Sequence, residues 1–336
     1  MNLVLMLSIR FFIFFIEYLF YKIFITPYST VEESGDLMVN EFNLLRKVIS
    51  YKTTESWTTI PCITFTYEAD ATEMLKEFDS LKEKSQSLKL TINTLLLKIC
   101  VEAVKAVPQV NAHIKYNPKG ITGKITVIKN IDISMPWALE NGDIIVVNLR
   151  NFEDKTLVEM QKYINDIAQK IHNCNIHIPL YRVSAGIMMD EMKKGHLLKS
   201  LHALLGAIFD KSKPNKKAFK EYDKIPLNDK ILPADLQPGT ITISNLGSVC
   251  KGLNGSLGIF EIIPPQIFAI GISSIQEKPC VITNESNEKT IAIRKIIPLC
   301  LTIDHRALNF SEIVPFIQKL EHIFKHSELL KDWYSK

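Results

Sequence analysis

None of the six cysteines in this 336-residue chain pairs as C-x-x-C; Cys62, Cys100, Cys174, Cys250, Cys280 and Cys300 are widely spaced. That spacing excludes a disulfide scaffold, and a reducing compartment is expected, because a chain this long builds its core without covalent staples. The sequence also lacks a G-x-x-x-x-G-K-S/T or G-x-G-x-x-G stretch, so ATP and dinucleotides have no motif in their favour. Excess charge is scarce: 40 Lys plus Arg against 36 Asp plus Glu leaves +4, too little and too dispersed for a nucleic-acid footprint. With 13 Gly, 15 Pro and no internal repeat, collagen-like and disordered classes drop out as well. What remains is an ordinary globular composition, 46% hydrophobic and 23% charged.

Residues 1–27 are the most unusual stretch. From Leu3 to Ile25 almost every residue is apolar or aromatic, and 23 residues of helix reach across a bilayer core of roughly 30 Å. Lys22 can snorkel, whereas Arg10 and Glu17 would each cost roughly 2.5–3.5 kcal/mol near mid-bilayer. Arg10, Glu17 and Tyr21 fall on one side of a helix, leaving a broad apolar face. The segment therefore reads as a hydrophobic membrane anchor or interfacial helix, with oligomer packing as the alternative. A cleavable signal peptide is disfavoured, because no basic residue precedes the run and no small-x-small site follows it. Residues 28–38 read as a linker, and the globular body, 39–336, begins near Val39.

Helix and strand periodicities alternate through the body. ITFTYEAD (63–70) alternates as a strand, TEMLKEFDSLKEK (72–84) is helical, and 91–107 is a strongly apolar helix stopped by Pro108. β-rich pieces follow at 124–130, 132–139 and 143–149, then an amphipathic helix at 155–171. The rhythm breaks at about 173–230, an insertion carrying an apolar helix at His196 to Phe209 and then the turn-prone KSKPNKK. Strands at 239–245, 267–274, 280–284 and 291–304 and a helix at 311–330 complete an α+β domain.

His305 stands directly after the last strand and before a helix, where a rigid scaffold presents a side chain. It has company in GTITISNLG (239–247), PPQIFAIGISSIQEKP (264–279) and LTIDHRALNF (301–310). Together these blocks resemble the catalytic domain of the 2-oxo acid dehydrogenase acyltransferases, which is similar in fold to chloramphenicol acetyltransferase, a mixed sheet flanked by helices. LTINTLLLKICVEAVKAVPQVNA (90–112) and VIKNIDISMPWALENGDIIVVNLRN (127–151) agree with the likeness, which spans roughly 39–172 and 231–336.

The resemblance implies acyl transfer between CoA and the thiol of dihydrolipoamide, or a hydroxyl acceptor, with neither metal nor covalent enzyme intermediate. A thiol of pKa near 8.5 needs a base to attack at neutral pH. His305 matches the family's motif His, the implied general base. Ser244, before Asn-x-Gly, matches the Ser that stabilises the oxyanion. Asn309 stands at the motif Asp, and Asp304 and Arg306 flank the His as an architectural pair. Phe310 replaces the motif Gly, where a side chain threatens to distort the loop or narrow the thiol channel. A catalytically impaired, membrane-associated assembly module with the same fold is therefore the alternative reading.

The sequence shows no lipoyl-domain hairpin, peripheral-subunit-binding module or swinging linker, so a lipoyl group has to come from another, lipoylated chain. The resemblance further implies a homotrimer or larger homo-oligomer, with His305 of one subunit facing Ser244 of the next. The catalytic domain is expected on the cytoplasmic side, where CoA is available. LGSVCKGLNGSLG (246–258) reads as a mobile loop at the mouth of the site. His172, Cys174 and His177 read as a polar turn, and His322 and His326 as a solvated helix face, so no metal is expected.

Overall fold

A computed structural model describes residues 42–84 (except 43), 88–193, 214–250, 252–284 and 286–334. The hydrophobic segment 1–27, the linker 28–38 and the apolar run His196 to Phe209 lie outside the described residues. Among those described, no helix is long and apolar enough to cross a membrane.

In chain order the elements are α1 (Leu44–Thr59), β1 (Cys62–Asp70), α2 (Thr72–Lys84), α3 (Ile92–Ala106), β2 (Ala112–Asn117), β3 (Thr122–Val127), β4 (Ile133–Ala138) and β5 (Ile144–Leu149). There follow α4 (Leu157–Asn173), α5 (His177–Lys193), α6 (Lys216–Lys224), β6 (Ile241–Asn245), β7 (Phe268–Ile272), β8 (Gln276–Thr283), β9 (Lys289–Asp304), α7 (Phe310–Lys325) and α8 (Leu329–Tyr334). The main sheet runs β1-β9-β7-β6-β4-β5, with β8 pairing the outer half of β9. Among the described residues only the β6–β7 and β4–β6 pairs are parallel, and β2–β3 forms a separate hairpin. This mixed sheet with helices is the α+β architecture the periodicities imply.

Local chemistry sets the helix boundaries. The Thr156 hydroxyl accepts the Glu159 N–H while the Glu159 carboxylate accepts the Thr156 N–H at 2.8 Å, a reciprocal cap that starts α4. Thr91 caps α3 by accepting the Thr94 N–H with its hydroxyl, and Pro108 follows the helix end, unable to continue it. The expected helix at 311–330 is two helices: at His326 the backbone leaves the α region, its N–H bonding the carbonyls of both His322 and Ile323. The strand expected at 124–130 ends at Val127, because the Asn111 amide draws off the carbonyls of Ile128 and Asn130 at 2.7 and 2.9 Å.

Strand register separates two faces of the sheet. Ile243, Phe268, Ile270, Leu299, Leu301 and Ile303 share one face, all fully buried or nearly so. The helices cover it: the Phe268 and Phe316 rings meet edge-on at 5.1 Å, and the Asn245 amide reaches Asn93 of α3 at 3.0 Å. Each such side chain contributes roughly 1.5–3 kcal/mol on burial. The other face carries Thr64, Ser134, Thr242, Ser244, Cys300 and Thr302. Gln266, fully buried, organises part of it by donating to Ser134 Oγ (3.1 Å) and the Gly239 carbonyl (2.9 Å) and accepting from Thr242 Oγ1 (2.5 Å). At Gly239 any Cβ would collide with the Asp132 carbonyl, so this close approach requires glycine.

Candidate active site

The last strand, β9, delivers His305 to the sheet end, and backbone groups fix it there. Its N–H donates to the Pro61 carbonyl at 3.0 Å, and its Nδ1 lies 3.0 Å from the Leu308 carbonyl. A carbonyl oxygen only accepts, so Nδ1 carries the proton and Nε2 presents a lone pair. The ring is exposed, so that lone pair is open to an approaching group.

Asp304 and Arg306 build the floor of this turn. Asp304 is fully buried, a costly place for a carboxylate unless it is paired. Arg306 meets it in a fork, Nε to Oδ1 at 2.9 Å and Nη2 to Oδ2 at 2.6 Å, and the Arg306 N–H adds a bond of 3.0 Å. The hydrogen bonds to Asp304 raise the guanidinium pKa above its ordinary value, against the opposing pull of burial. Nη1 of Arg306 donates to the Thr59 carbonyl at the C-terminus of α1, a favourable place for a cation, and the guanidinium lies 5.2 Å from the Tyr116 ring centroid. The pair thus ties α1, the β2–β3 hairpin and β9 together beneath His305.

Asn309 is the N-cap of α7. Its N–H donates to Glu312 at 2.7 Å, and no hydrogen bond joins its side chain to His305 among the described residues. Phe310 is the first residue of α7, and its φ is not among the positive values, which fall at Ile121, Asn151 and Asn287 outside glycine. A side chain is therefore tolerated where a glycine was expected, and the ring turns onto Phe65, 5.2 Å away, without disturbing the His305–Leu308 contact.

Ser244 lies near the end of β6, opposite Gly271 of β7, which in turn stands opposite Cys300 of β9. It is 5% exposed, and its hydroxyl makes no side-chain hydrogen bond among the described residues. The next residue, Asn245, points to the helices; its Oδ1 accepts the Gly247 N–H at 3.0 Å and shapes the turn that follows. His305 lies five positions beyond Cys300. At about 3.3 Å per residue and about 4.8 Å between strands, Ser244 and His305 of one chain are on the order of 20 Å apart.

Several groups at the site carry no sequence signal. The carbonyls of Thr59, Pro61 and Leu308 are backbone atoms brought in by register and turn geometry. Gln266 sits in PPQIFAIGI, where its polarity amid apolar neighbours is the one cue. The 246–258 segment, expected as a mobile loop, is tied by side chains: Ser274 Oγ to the Leu253 carbonyl (2.6 Å), Gln276 Nε2 to the Gly255 carbonyl (2.5 Å) and the Leu257 N–H to Ser273 Oγ (3.0 Å). Among the described residues no group of three His, Cys, Asp or Glu gathers for a metal. The His322 and His326 rings lie with centroids 4.3 Å apart and planes tilted by 44°, and Nδ1 of His326 meets Glu328 at 2.8 Å. Cys62, the register partner of Asp304, has its thiol pKa pushed up by burial, which favours the neutral form.

Among curated proteins, the chain is 25% identical over 284 residues to the lipoamide acyltransferase component of the branched-chain alpha-keto acid dehydrogenase complex of Bacillus subtilis. That alignment takes in 84% of this chain and 50% of the relative, so the chain spans about half of that protein's length. In fold it is similar to the cubic core of the pyruvate dehydrogenase multienzyme complex, with a TM-score of 0.59 at 20% identity over 91% of this chain and 100% of that one. It is equally similar to the dihydrolipoamide acetyltransferase of Azotobacter vinelandii, at 19% identity over 91% of this chain and 100% of that one, again with a TM-score of 0.59. The sequence pattern of the 2-oxoacid dehydrogenases acyltransferase (catalytic domain) family matches residues 36–179 and 216–331. With fold and sequence agreeing over most of its length, the chain belongs to that family.

Proposed function

We propose that this protein moves an acyl group between a CoA thioester and a thiol of the dihydrolipoamide type, or a hydroxyl, with His305 as general base. The observation that carries the reading is the 3.0 Å contact of Nδ1 with the Leu308 carbonyl, which leaves the Nε2 lone pair unused on an exposed residue. Nε2 takes the proton of the attacking thiol, and the sulfur forms a bond to the thioester carbonyl carbon. The Ser244 hydroxyl, without a side-chain partner among the described residues, donates to the oxyanion. Collapse breaks the bond to the CoA sulfur, which receives the proton back from Nε2. Support for the residue set comes from the Azotobacter vinelandii enzyme, studied for the roles of a serine, a histidine and an asparagine four positions after that histidine in its catalytic mechanism. Ser244, His305 and Asn309 repeat those residue types and the spacing of the last two. Asn309 acts here by starting α7 and so holding the Leu308 turn.

A separation on the order of 20 Å within one chain keeps Ser244 and His305 from acting on a single carbonyl. The reading therefore includes a homotrimer or larger assembly in which one subunit's His305 meets the next subunit's Ser244, and the likeness to a cubic core favours it. A lipoyl group carried by a lipoylated partner is the thiol acceptor this reading allows. Residues 1–27 hold the domain at a membrane on its cytoplasmic side, which fractionation with protease protection tests. Against loop distortion, one of the two grounds for the impaired-module alternative, Phe310 sits in regular helix and leaves the histidine turn intact.

The test is acyl transfer from a panel of acyl-CoAs by the full chain, read by chromatography as free CoA and acylated acceptor, with dihydrolipoamide and then hydroxyl acceptors, against His305→Ala. Acceptor-dependent turnover lost in the variant is expected. Equal rates for the two proteins with every acceptor would overturn the reading.

A further inference from the structure

Beside Ser244 the sheet face is closed by a side chain from outside the sheet. Ser244 and Gly271 are register partners, so a Cβ on Gly271 would point to the same side as the Ser244 hydroxyl. That position is taken: a Cβ there would collide with Leu257 Cδ2 and lie 3.5 Å from Cys300 Cβ. Leu257 therefore lies across Gly271, one strand spacing from Ser244, a residue 5% exposed whose hydroxyl has no side-chain partner among the described residues. Its backbone is fixed as well, by its own N–H to Ser273 Oγ at 3.0 Å and by the anchored carbonyls of Leu253 and Gly255.

We propose that Leu257 is a specificity-determining residue that limits the acyl group accepted beside Ser244 to short, unbranched, uncharged chains. The inference rests on the acyl-transfer reading above and adds its substrate class. A thioester whose oxygen meets the Ser244 hydroxyl directs its acyl chain along the same face, where the isobutyl group of Leu257 occupies the space left by Gly271. An apolar wall gives a carboxylated chain such as succinyl nothing to bond. It also excludes the branch of an isovaleryl group by contact, and in such pockets each misplaced methylene changes the rate roughly 10–200-fold.

The experiment compares acetyl-, succinyl- and isovaleryl-CoA as donors to dihydrolipoamide with the full-length wild type, Leu257→Ala and Leu257→Val. The wild type is expected to favour acetyl. Leu257→Ala should raise the isovaleryl-to-acetyl ratio of kcat/KM by about tenfold or more, and Leu257→Val by less in the same direction. Thermal melting confirms that each variant folds, and the valine variant keeps the test open if alanine does not. An unchanged ratio in an active, folded variant overturns the proposal. If the wild type turns over none of the donors, the acyl-transfer reading fails separately, and calorimetric binding of the same acyl-CoAs decides the inference. An order of affinity altered by Leu257→Ala supports it, and an unaltered order or no binding contradicts it.

Discussion

The two faces of the main sheet are written in the same strands one residue out of step, yet they do different work. Phe268, Ile270, Leu301 and Ile303 face the helices and bury large apolar groups. Their sequence neighbours Ala269, Gly271, Cys300 and Thr302 face the other way and are small or weakly polar. Small residues leave room for other groups to approach: Leu257 on Gly271, and Ile262 and Phe260 near Ala269. Large residues make the opposite face a fixed platform. Stability is concentrated on one face, and the chemistry on the other face and at the strand end.

Substitutions sharpen that division. The largest effect is expected at His305, where alanine should lower kcat/KM by about 10² to 10⁴ and cost about 1 kcal/mol in urea unfolding, the worth of the ring's bond to the Leu308 carbonyl. Phe268→Ala on the helix face should do the reverse in kind, costing about 3–5 kcal/mol in urea unfolding. Ser244→Ala on the small-residue face should lower kcat by about 10² to 10³ at little cost to stability, since among the described residues its hydroxyl has no side-chain partner to orphan.

The smallest effect is at the sheet margin. Burial alone would raise the Asp70 pKa, but bonds from Thr72 and Arg294 overcome it and hold the carboxyl below its ordinary value. A depressed carboxyl contributes stability that is complete above its unfolded pKa, about 3.9, and is lost as pH falls through the lower folded value. The site is partly exposed, so Asp70→Asn should cost about 1 kcal/mol or less at pH 7, with the difference vanishing in acid. Unfolding curves at the two pH values measure it.

How far these regions could be read in advance follows the same division. Strands facing the helices alternate strongly, and β1, β4, β5 and β9 fall within a residue or two of where the pattern places them, as do α2, α3 and α4. α1 escaped notice because its residues lack an apolar stripe: Tyr51 and Trp57 are exposed, and Thr53, Thr58 and Thr59 spend their hydroxyls on carbonyls four residues back. α5 and α6 fell inside the stretch read as an insertion; the family pattern is interrupted at 180–215, a narrower gap than 173–230. At the site, His305 and Ser244 were legible from strand ends and from the resemblance. Leu257 was not, because its importance depends on the missing Cβ of a glycine 14 positions away in the chain.

The central claim is that one chain supplies the base and another the oxyanion donor, and mixing two dead variants tests it most directly. His305→Ala and Ser244→Ala chains are co-expressed, purified as mixed assemblies and assayed for acyl transfer. Random pairing around a closed ring leaves about a quarter of the sites with both groups intact, so activity should return to about that fraction of wild type, far above either variant alone. Activity no greater than the average of the two separate variants would contradict the account.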